Sequence, residues 1–402
     1  MPKSNKHSIL IVADAFGKPS YAPRLRSICD HLVQQGWKVE VYTERFITLD
    51  FQHAYPIYEC DLYRNRTWDW AIKTAYSLLT DWKNRAFSKW LIEATRDKHY
   101  DLVFCTTFST FPLRAALDVA KAKHIPLHVD LRDIDEQAPN SQYQAHRQWW
   151  ALPFRKWYRN INIRRRNQIV RQANSVTTVS PWHVNFIKAL NANTTLIYNG
   201  YNENLFLPCD KKSEIFTILY TGRIYESALQ DPTLFIQAVS TLPALEHFSI
   251  EWYTNENGRQ VIQHLAAHFN CEHLMRYHNY ISTEQIPNLL HQCSIALVLS
   301  HKATENGPHG IMTTKFFEAL GVEKPVLCVP SDEECLDAVI KETNAGIAAT
   351  SAEEVQSFIL SKYAEWKANG FTHQPVNPDQ KRLFSRQYQA QQFEELLTRI
   401  IS

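Results

Sequence analysis

Lys315 and Glu318 stand three residues apart in the run His309-Gly-Ile-Met-Thr-Thr-Lys-Phe-Phe-Glu-Ala-Leu-Gly321. The run lies between two apolar stretches, Ser294–Ser300 and Pro325–Val329. A three-residue spacing puts both charges on one face of a helix. The pattern predicts a helix beginning near Ile311, behind a loop that carries Gly307 and Gly310. Free N–H groups at such a start, at Gly310, Ile311, Met312 and Thr313, favour an anion, and phosphate above all. A cation beside phosphate and a carboxylate beside sugar hydroxyls would together read a nucleotide. The same residues also suit a solvated Lys–Glu pair on a helix that Gly321 caps.

Three other segments carry groups of this kind. Gly222-Arg223 follows the apolar run Phe216–Thr221, and an arginine there can fork onto diphosphate oxygens; it also suits a structural ion pair. Leu127-His-Val-Asp-Leu-Arg-Asp133 ends an apolar strand in an unusual density of polar groups, Asp130, Arg132 and Asp133. These suit either a reaction site or a structural Asp–Arg network. The loop Ala15–Arg24 places Gly17 before a helix, where backbone can approach a ligand. Asp133-Ile-Asp135 spells a three-residue metal motif, which arises easily by chance.

The elements that position these groups alternate. Ser8–Ala13 is an apolar run, Pro23–Gln35 has its apolar residues on one helical face, and Trp37–Thr43 alternates as a strand. After an aromatic, charged insertion at about 45–98, the order resumes. Strand Asp101–Thr106, helix Leu113–Lys123, strand Pro126–Leu131, a polar helical stretch at 142–172, strand Ser175–Val179, a helix from Pro181 and strand Thr195–Tyr198 follow. A polar break near 207–213 precedes a second alternating series, with strands at Phe216–Thr221, Phe248–Tyr253, Ser294–Ser300 and Pro325–Val329. Helices at about 352–368 and 378–400 close the chain. Such alternation predicts an α/β fold of two tandem doubly wound, Rossmann-like parallel-sheet domains facing across a cleft. The expected boundaries are 1–207, 208–375 and a crossing-back helical segment, 376–402.

Bulk composition excludes several classes. The 402 residues include only 10 Gly but 20 Phe, 18 Tyr and 11 Trp, which rules out collagen-like and low-complexity chains. The formal charge of +2 gives no electrostatic reason to expect nucleic acid as a partner. Eight cysteines without a CxxC pair read as buried free thiols in a reducing compartment. No apolar run approaches the length of a membrane span. Residues 142–172 hold eight Arg and Lys and no acidic residue, interleaved with Trp149, Trp150, Phe154, Trp157 and Tyr158. That face suits an anionic bilayer surface, or simply a solvated hairpin.

The segment 294–329 resembles the donor-binding segment of GT-B glycosyltransferases, most closely family 4. Glu318 fills the position of that family's second glutamate, which bonds the donor ribose. Gly310 stands where the first glutamate, a contact to the transferred sugar, is usual. Gly222-Arg223 resembles the family's Gly-Arg segment, whose arginine neutralises the leaving diphosphate. The usual lysine a few residues later is missing, and Lys315 is expected to replace it. The strand end at Asp130, Arg132 and Asp133 is similar to the one facing donor sugar and acceptor, so these three are candidates for acceptor positioning or proton removal. Gly17 matches the glycine of the first loop, beside the donor diphosphate. GT-A enzymes use Asp-x-Asp for a metal, but the tandem architecture is not theirs.

The resemblance implies a retaining, metal-independent enzyme without a cofactor. It would move a sugar from a nucleotide diphosphate-sugar to a glycan or lipid-linked glycan, in cell-surface polysaccharide synthesis. The expected location is cytoplasmic, with peripheral membrane contact through 142–172. Two other readings share the fold: a nucleotide-sugar epimerase, and a non-catalytic nucleotide-sugar or glycan-binding protein.

Overall fold

The computed structural model describes residues 7–14, 16, 23–45, 53–63, 76, 80–108, 110–137, 152–224, 229–305 and 307–402, with side chains from 156 onward in the helix that starts at 152. The chain divides into two units. One comprises Met1–Asp135, Gln148–Tyr198 and Gln387–Ser402; the other comprises Glu136–Arg147 and Asn199–Arg386.

The first unit is built on seven strands: β1 (Ser8–Ala13), β2 (Lys38–Glu44), β3 (Ile57–Cys60), β4 (Leu102–Thr107), β5 (Leu127–Leu131), β6 (Ser175–Thr178) and β7 (Thr194–Leu196). Their order is β3-β2-β1-β4-β5-β6-β7, and every pairing is parallel. A parallel sheet must be covered on both faces, which is why its central strands are buried along their length and largely apolar. Successive residues of β1 point to opposite sides. Leu10 and Val12 enter a core with Val103, Val129, Phe87 and Leu117. Ile9 and Ile11 enter another with Phe104, the helix Pro23–Gln34, and Phe393 and Leu397 of the last helix, Arg386–Ile401. Arg24 ties this second layer together. Its guanidinium donates to Asp130 Oδ1 at 3.2 Å and to the Ile197 carbonyl at 2.8 Å, and lies 4.9 Å from the Phe393 ring centre.

The insertion expected at 45–98 contains β3 and the helix Trp82–Ala94. Neither has a strong pattern. Only Cys60 of β3 is buried, and the helix turns Phe87 and Leu91 inward beside Asn84 and Ser88.

The second unit has six parallel strands: β8 (Phe216–Thr221), β9 (Phe248–Tyr253), β10 (Met275–His278), β11 (Ile295–Leu299), β12 (Val326–Val329) and β13 (Gly346–Ala348), in the order β10-β9-β8-β11-β12-β13. The two unexpected strands, β10 and β13, are short edge strands without a buried apolar run. The helix expected near Ile311 begins at Thr314. The single helix expected over 378–400 is two, Pro378–Arg382 and Arg386–Ile401. The break has a local cause. Tyr201 takes the Phe384 carbonyl and the Arg386 N–H in backbone hydrogen bonds of 3.0 Å each, so neither serves a helix. Gly321 is not the cap either. It lies inside the helix end, where a Cβ would stand 2.8 Å from Tyr201 and 2.9 Å from Phe206. All eight cysteines are free thiols, seven buried as expected, with Cys209 exposed.

The last helix thus completes the core of the first unit. Phe393→Ala should destabilise that unit by about 3–5 kcal/mol, the usual cost of emptying a buried phenylalanine site. Hydrogen exchange should show protection falling in β1, β4 and β5 while β8 and β11 keep theirs. Uniform loss across both sheets would contradict this.

Candidate functional site

Each sheet reverses its strand order once, between β1 and β4 and between β8 and β11. Open parallel sheets bind ligands outside the carboxyl ends of their strands at that reversal.

In the second unit, β8 runs out into Gly222-Arg223, and the Gly222 N–H is held by the Tyr253 carbonyl at 2.8 Å. Gly222 has φ +130, and a Cβ there would lie 2.7 Å from Lys315 Nζ and closer still to its Cε. The lysine therefore lies directly on the glycine, with its ammonium 5.6 Å from the Tyr220 ring centre. Arg223 is exposed, and its guanidinium lies 5.4 Å from the ring centre of Tyr280. Glu318 is buried one turn along the helix Thr314–Gly321. None of these three charged heads has an ion-pair or hydrogen-bond partner among the described residues. The structural ion pair available to Arg223 from the sequence does not form there. Nor does the Lys315–Glu318 pair close: the helix brings them together electrostatically but not into contact.

Burial sets the electrostatics. It pushes the Glu318 carboxyl up to about 7, against the opposing pull of Lys315 and Arg386. It pushes the Lys315 ammonium below its ordinary value, against Glu318. A buried, unpaired carboxylate is costly unless a ligand satisfies it. Arg386 was not singled out from the sequence. It lies in a polar stretch whose helical pattern conceals the break at residues 383–385.

Because the helix starts at Thr314, Gly310, Ile311, Met312 and Thr313 form the loop before it, and Thr313 is its N-cap without a side-chain cap bond. The N–H groups expected at Ile311 to Thr313 are loop groups. The Gly310 N–H is taken by Glu334 Oε2 at 2.9 Å.

In the first unit the polar strand end is closed on itself. Asp130 is 1% exposed. Its carboxylate accepts from Arg24, from Thr177 at 2.8 Å and from Thr106 at 3.0 Å. Burial raises this carboxyl, but Arg24 and the hydrogen bonds outweigh it and hold it below its ordinary value. That suits Asp130 to anchoring Arg24 and not to proton removal. Arg132 donates to Asp14 Oδ1 at 2.7 Å and stacks on Phe108, 3.5 Å from its ring centre. Asp133 is half-buried and has a polar partner. Asp14, at the end of β1, and Arg24 are the members of this network that sequence reasoning missed. Gly17 lies outside the described residues.

Among the described residues no three His, Cys, Asp or Glu side chains gather into a metal-holding set. Of the basic stretch 142–172, residues 142–151 lie outside the described residues. In the helix Leu152–Val170, Arg166 is buried, Arg165 pairs with Asp81 at 3.1 Å, and Lys156, Trp157 and Arg164 are exposed. No described helix is long and apolar enough to cross a membrane.

Residues 23–205 match the family model for Glycosyltransferase Family 4. Three solved structures share the fold over nearly the whole chain. One is HepE from Anabaena in complex with UDP and glucose, with a TM-score of 0.63 and 16% identity, covering 98% of this chain and 99% of that one. A second is sucrose-phosphate synthase from Thermosynechococcus elongatus, with a TM-score of 0.66 and 13% identity, covering 98% and 99%. The third is a putative UDP-N-acetylglucosamine 2-epimerase from Listeria monocytogenes, with a TM-score of 0.57 and 13% identity, covering 98% and 96%. No curated protein sequence matches the chain closely enough to count as a relative. The chain thus has a GT-B fold of two Rossmann-like units. Within that class the chain resembles glycosyltransferase family 4, the family its residues 23–205 match.

The state of Glu318 is open to direct measurement. Its raised value means that it favours the fold while protonated, fully below the ordinary value of 4.5, and that this is lost as pH rises through about 7. Glu318→Gln should therefore match the parent near pH 4 and exceed it by about 3 kcal/mol at pH 8, in paired urea melts. Equal stability at pH 8 would show that the carboxylate has a partner.

Proposed function

We propose that the chain is a retaining, metal-independent glycosyltransferase that moves a sugar from a nucleotide diphosphate-sugar to a glycan or lipid-linked glycan. The observation that carries this is the packing of Lys315 against Gly222, next to Arg223 and one turn before Glu318, three charged groups without an ion-pair or hydrogen-bond partner among the described residues, at the strand-order reversal. A nucleotide diphosphate-sugar supplies the complementary groups. Its diphosphate would face Arg223 and Lys315, and its ribose hydroxyls would donate to the Glu318 carboxylate.

In that arrangement the bond between the sugar and the diphosphate breaks towards the phosphate. The two cations then stabilise the charge that develops on the leaving group, the largest single term in such transfers. Lys315 takes the part that a lysine after Arg223 would play. Its position against Gly222 supports this, because the glycine lets the ammonium reach the end of β8. Arg132 and Asp133 are assigned to the acceptor side. The exposed Lys156, Trp157 and Arg164 are assigned to an anionic membrane surface that presents a lipid-linked acceptor.

Solved neighbours have been captured with UDP, and with UDP and glucose, which favours uridine donors in a first screen. Calorimetry with UDP-, GDP- and ADP-sugars should show binding of one nucleotide class, accompanied by slow hydrolysis. Glu318→Ala should weaken donor binding about tenfold or more, the worth of hydrogen bonds to a charged group. Arg223→Ala and Lys315→Ala should each lower turnover about 10²–10³-fold. Absence of nucleotide binding, or binding unchanged by Glu318→Ala, would sink the proposal. Conversion of the donor to an epimer without acceptor would instead identify an epimerase, the activity for which the Listeria monocytogenes neighbour is named.

A further inference from the structure

Glu334 occupies the N-cap position of the helix Cys335–Thr343, yet its side chain makes no cap bond. Asp332 does that work. Its carboxylate accepts from the N–H groups of Glu334 at 3.2 Å, Leu336 at 2.8 Å and Asp337 at 2.9 Å. Glu334 turns the other way. Its Oε2 accepts from the Gly310 N–H at 2.9 Å, and its Oε1 faces His309 Nδ1 at 3.1 Å. Each carboxylate oxygen keeps further capacity to accept.

This carboxylate lines a concavity shared with Leu229, Ser300, His301, His309 and Asp332. Ser300 and His301 follow β11, and Asp332 and Glu334 follow β12, so the concavity opens at the strand ends beside the reversal. Its lining is mixed, with Leu229, Pro308 and Ile311 beside the polar groups. It contains acceptors, two imidazoles and a hydroxyl, but no Lys or Arg. Lys302, next in sequence to His301, is ion-paired with Glu333 at 2.7 Å. A carboxylate in such a lining accepts from paired hydroxyls of a neutral sugar. A sugar carrying its own carboxylate would meet two like charges and no counter-ion.

We propose that Glu334 reads the hydroxyl groups of the transferred sugar, with His309 and the Gly310 N–H holding its orientation, and that its charge selects neutral sugars over uronates. The proposal rests on the donor reading above. It supplies the sugar-facing carboxylate from the loop after β12, although position 310 is a glycine.

The test separates the two ideas. Dissociation constants are measured for UDP, GDP and ADP, for their glucose esters, and for UDP-glucuronate, with the parent, Glu318→Ala, Glu334→Gln and Glu334→Ala. Glu318→Ala should weaken free nucleotide and ester alike. Glu334→Ala should leave the free nucleotide within twofold and reduce the preference for its glucose ester about tenfold. Glu334→Gln retains an acceptor for the Gly310 N–H, which controls for loop collapse. It should show the same selective loss, and where the nucleotide is UDP it should narrow the preference for glucose over glucuronate. If no nucleotide binds the parent protein, the donor reading fails. If nucleotide binds but the parent gains nothing from the glucose moiety, or both Glu334 variants weaken free nucleotide and ester equally, the assignment of Glu334 is overturned.

Discussion

Parallel pairing is the constraint from which the site follows. It sends every strand's carboxyl end to one edge of its sheet, and a single reversal of strand order then opens a gap between two crossovers. Both units of this chain obey it, at β1/β4 and at β8/β11. Buried on both faces, the strands have little room for polar chemistry along their length, so polar groups collect at the ends. Gly222-Arg223, Ser300-His301 and Asp332–Glu334 are such ends in one unit, as are Asp14, Thr107 and Arg132 in the other. The fold thus determines where charges gather before any ligand is considered.

What distinguishes the two gatherings is whether the charges satisfy one another. In the first unit Asp130 has Arg24, Thr106 and Thr177, and Arg132 has Asp14. A buried network of that kind rigidifies a strand end. Arg24 also carries its order into the Phe393 ring of the last helix. In the second unit Lys315, Arg223 and Glu318 have no ion-pair or hydrogen-bond partner among the described residues. Leaving buried charge unsatisfied costs stability that no packing term in its vicinity requires. Such an arrangement is what a binding site for a molecule with both phosphate and hydroxyl groups would need.

Much of this was legible in the sequence because it rests on local patterns. The β1–helix–β2 start, the helix Leu113–Lys123, and strands β8, β9, β11 and β12 announce themselves by periodicity. Lys315 and Glu318 were legible because helical spacing fixes their common face. The elements that escaped have no local signal: β3, β10 and β13 are edge strands with little burial. The start of the helix at Thr314 rather than near Ile311 escaped for a related reason, since apolar Ile311 and Met312 continue the helical pattern into what is a loop. The break at residues 383–385 is made by Tyr201, nearly two hundred residues away. No window on the sequence contains both.

Scarcity of glycine sharpens the point for Lys315. The close approach at Gly222 is a fact of two segments that meet only in the folded unit, yet each carries half of its signature: a glycine after a strand, and a lysine one turn before a buried glutamate. The same logic applies to Gly310, where the absence of a side chain is filled by a carboxylate from Glu334, 24 residues on. A motif is a set of positions in space, and a chain can keep the set while changing which segment supplies a member. Residue-by-residue comparison at position 310 therefore registers a loss, whereas the folded loop after β12 brings a carboxylate to the same backbone N–H.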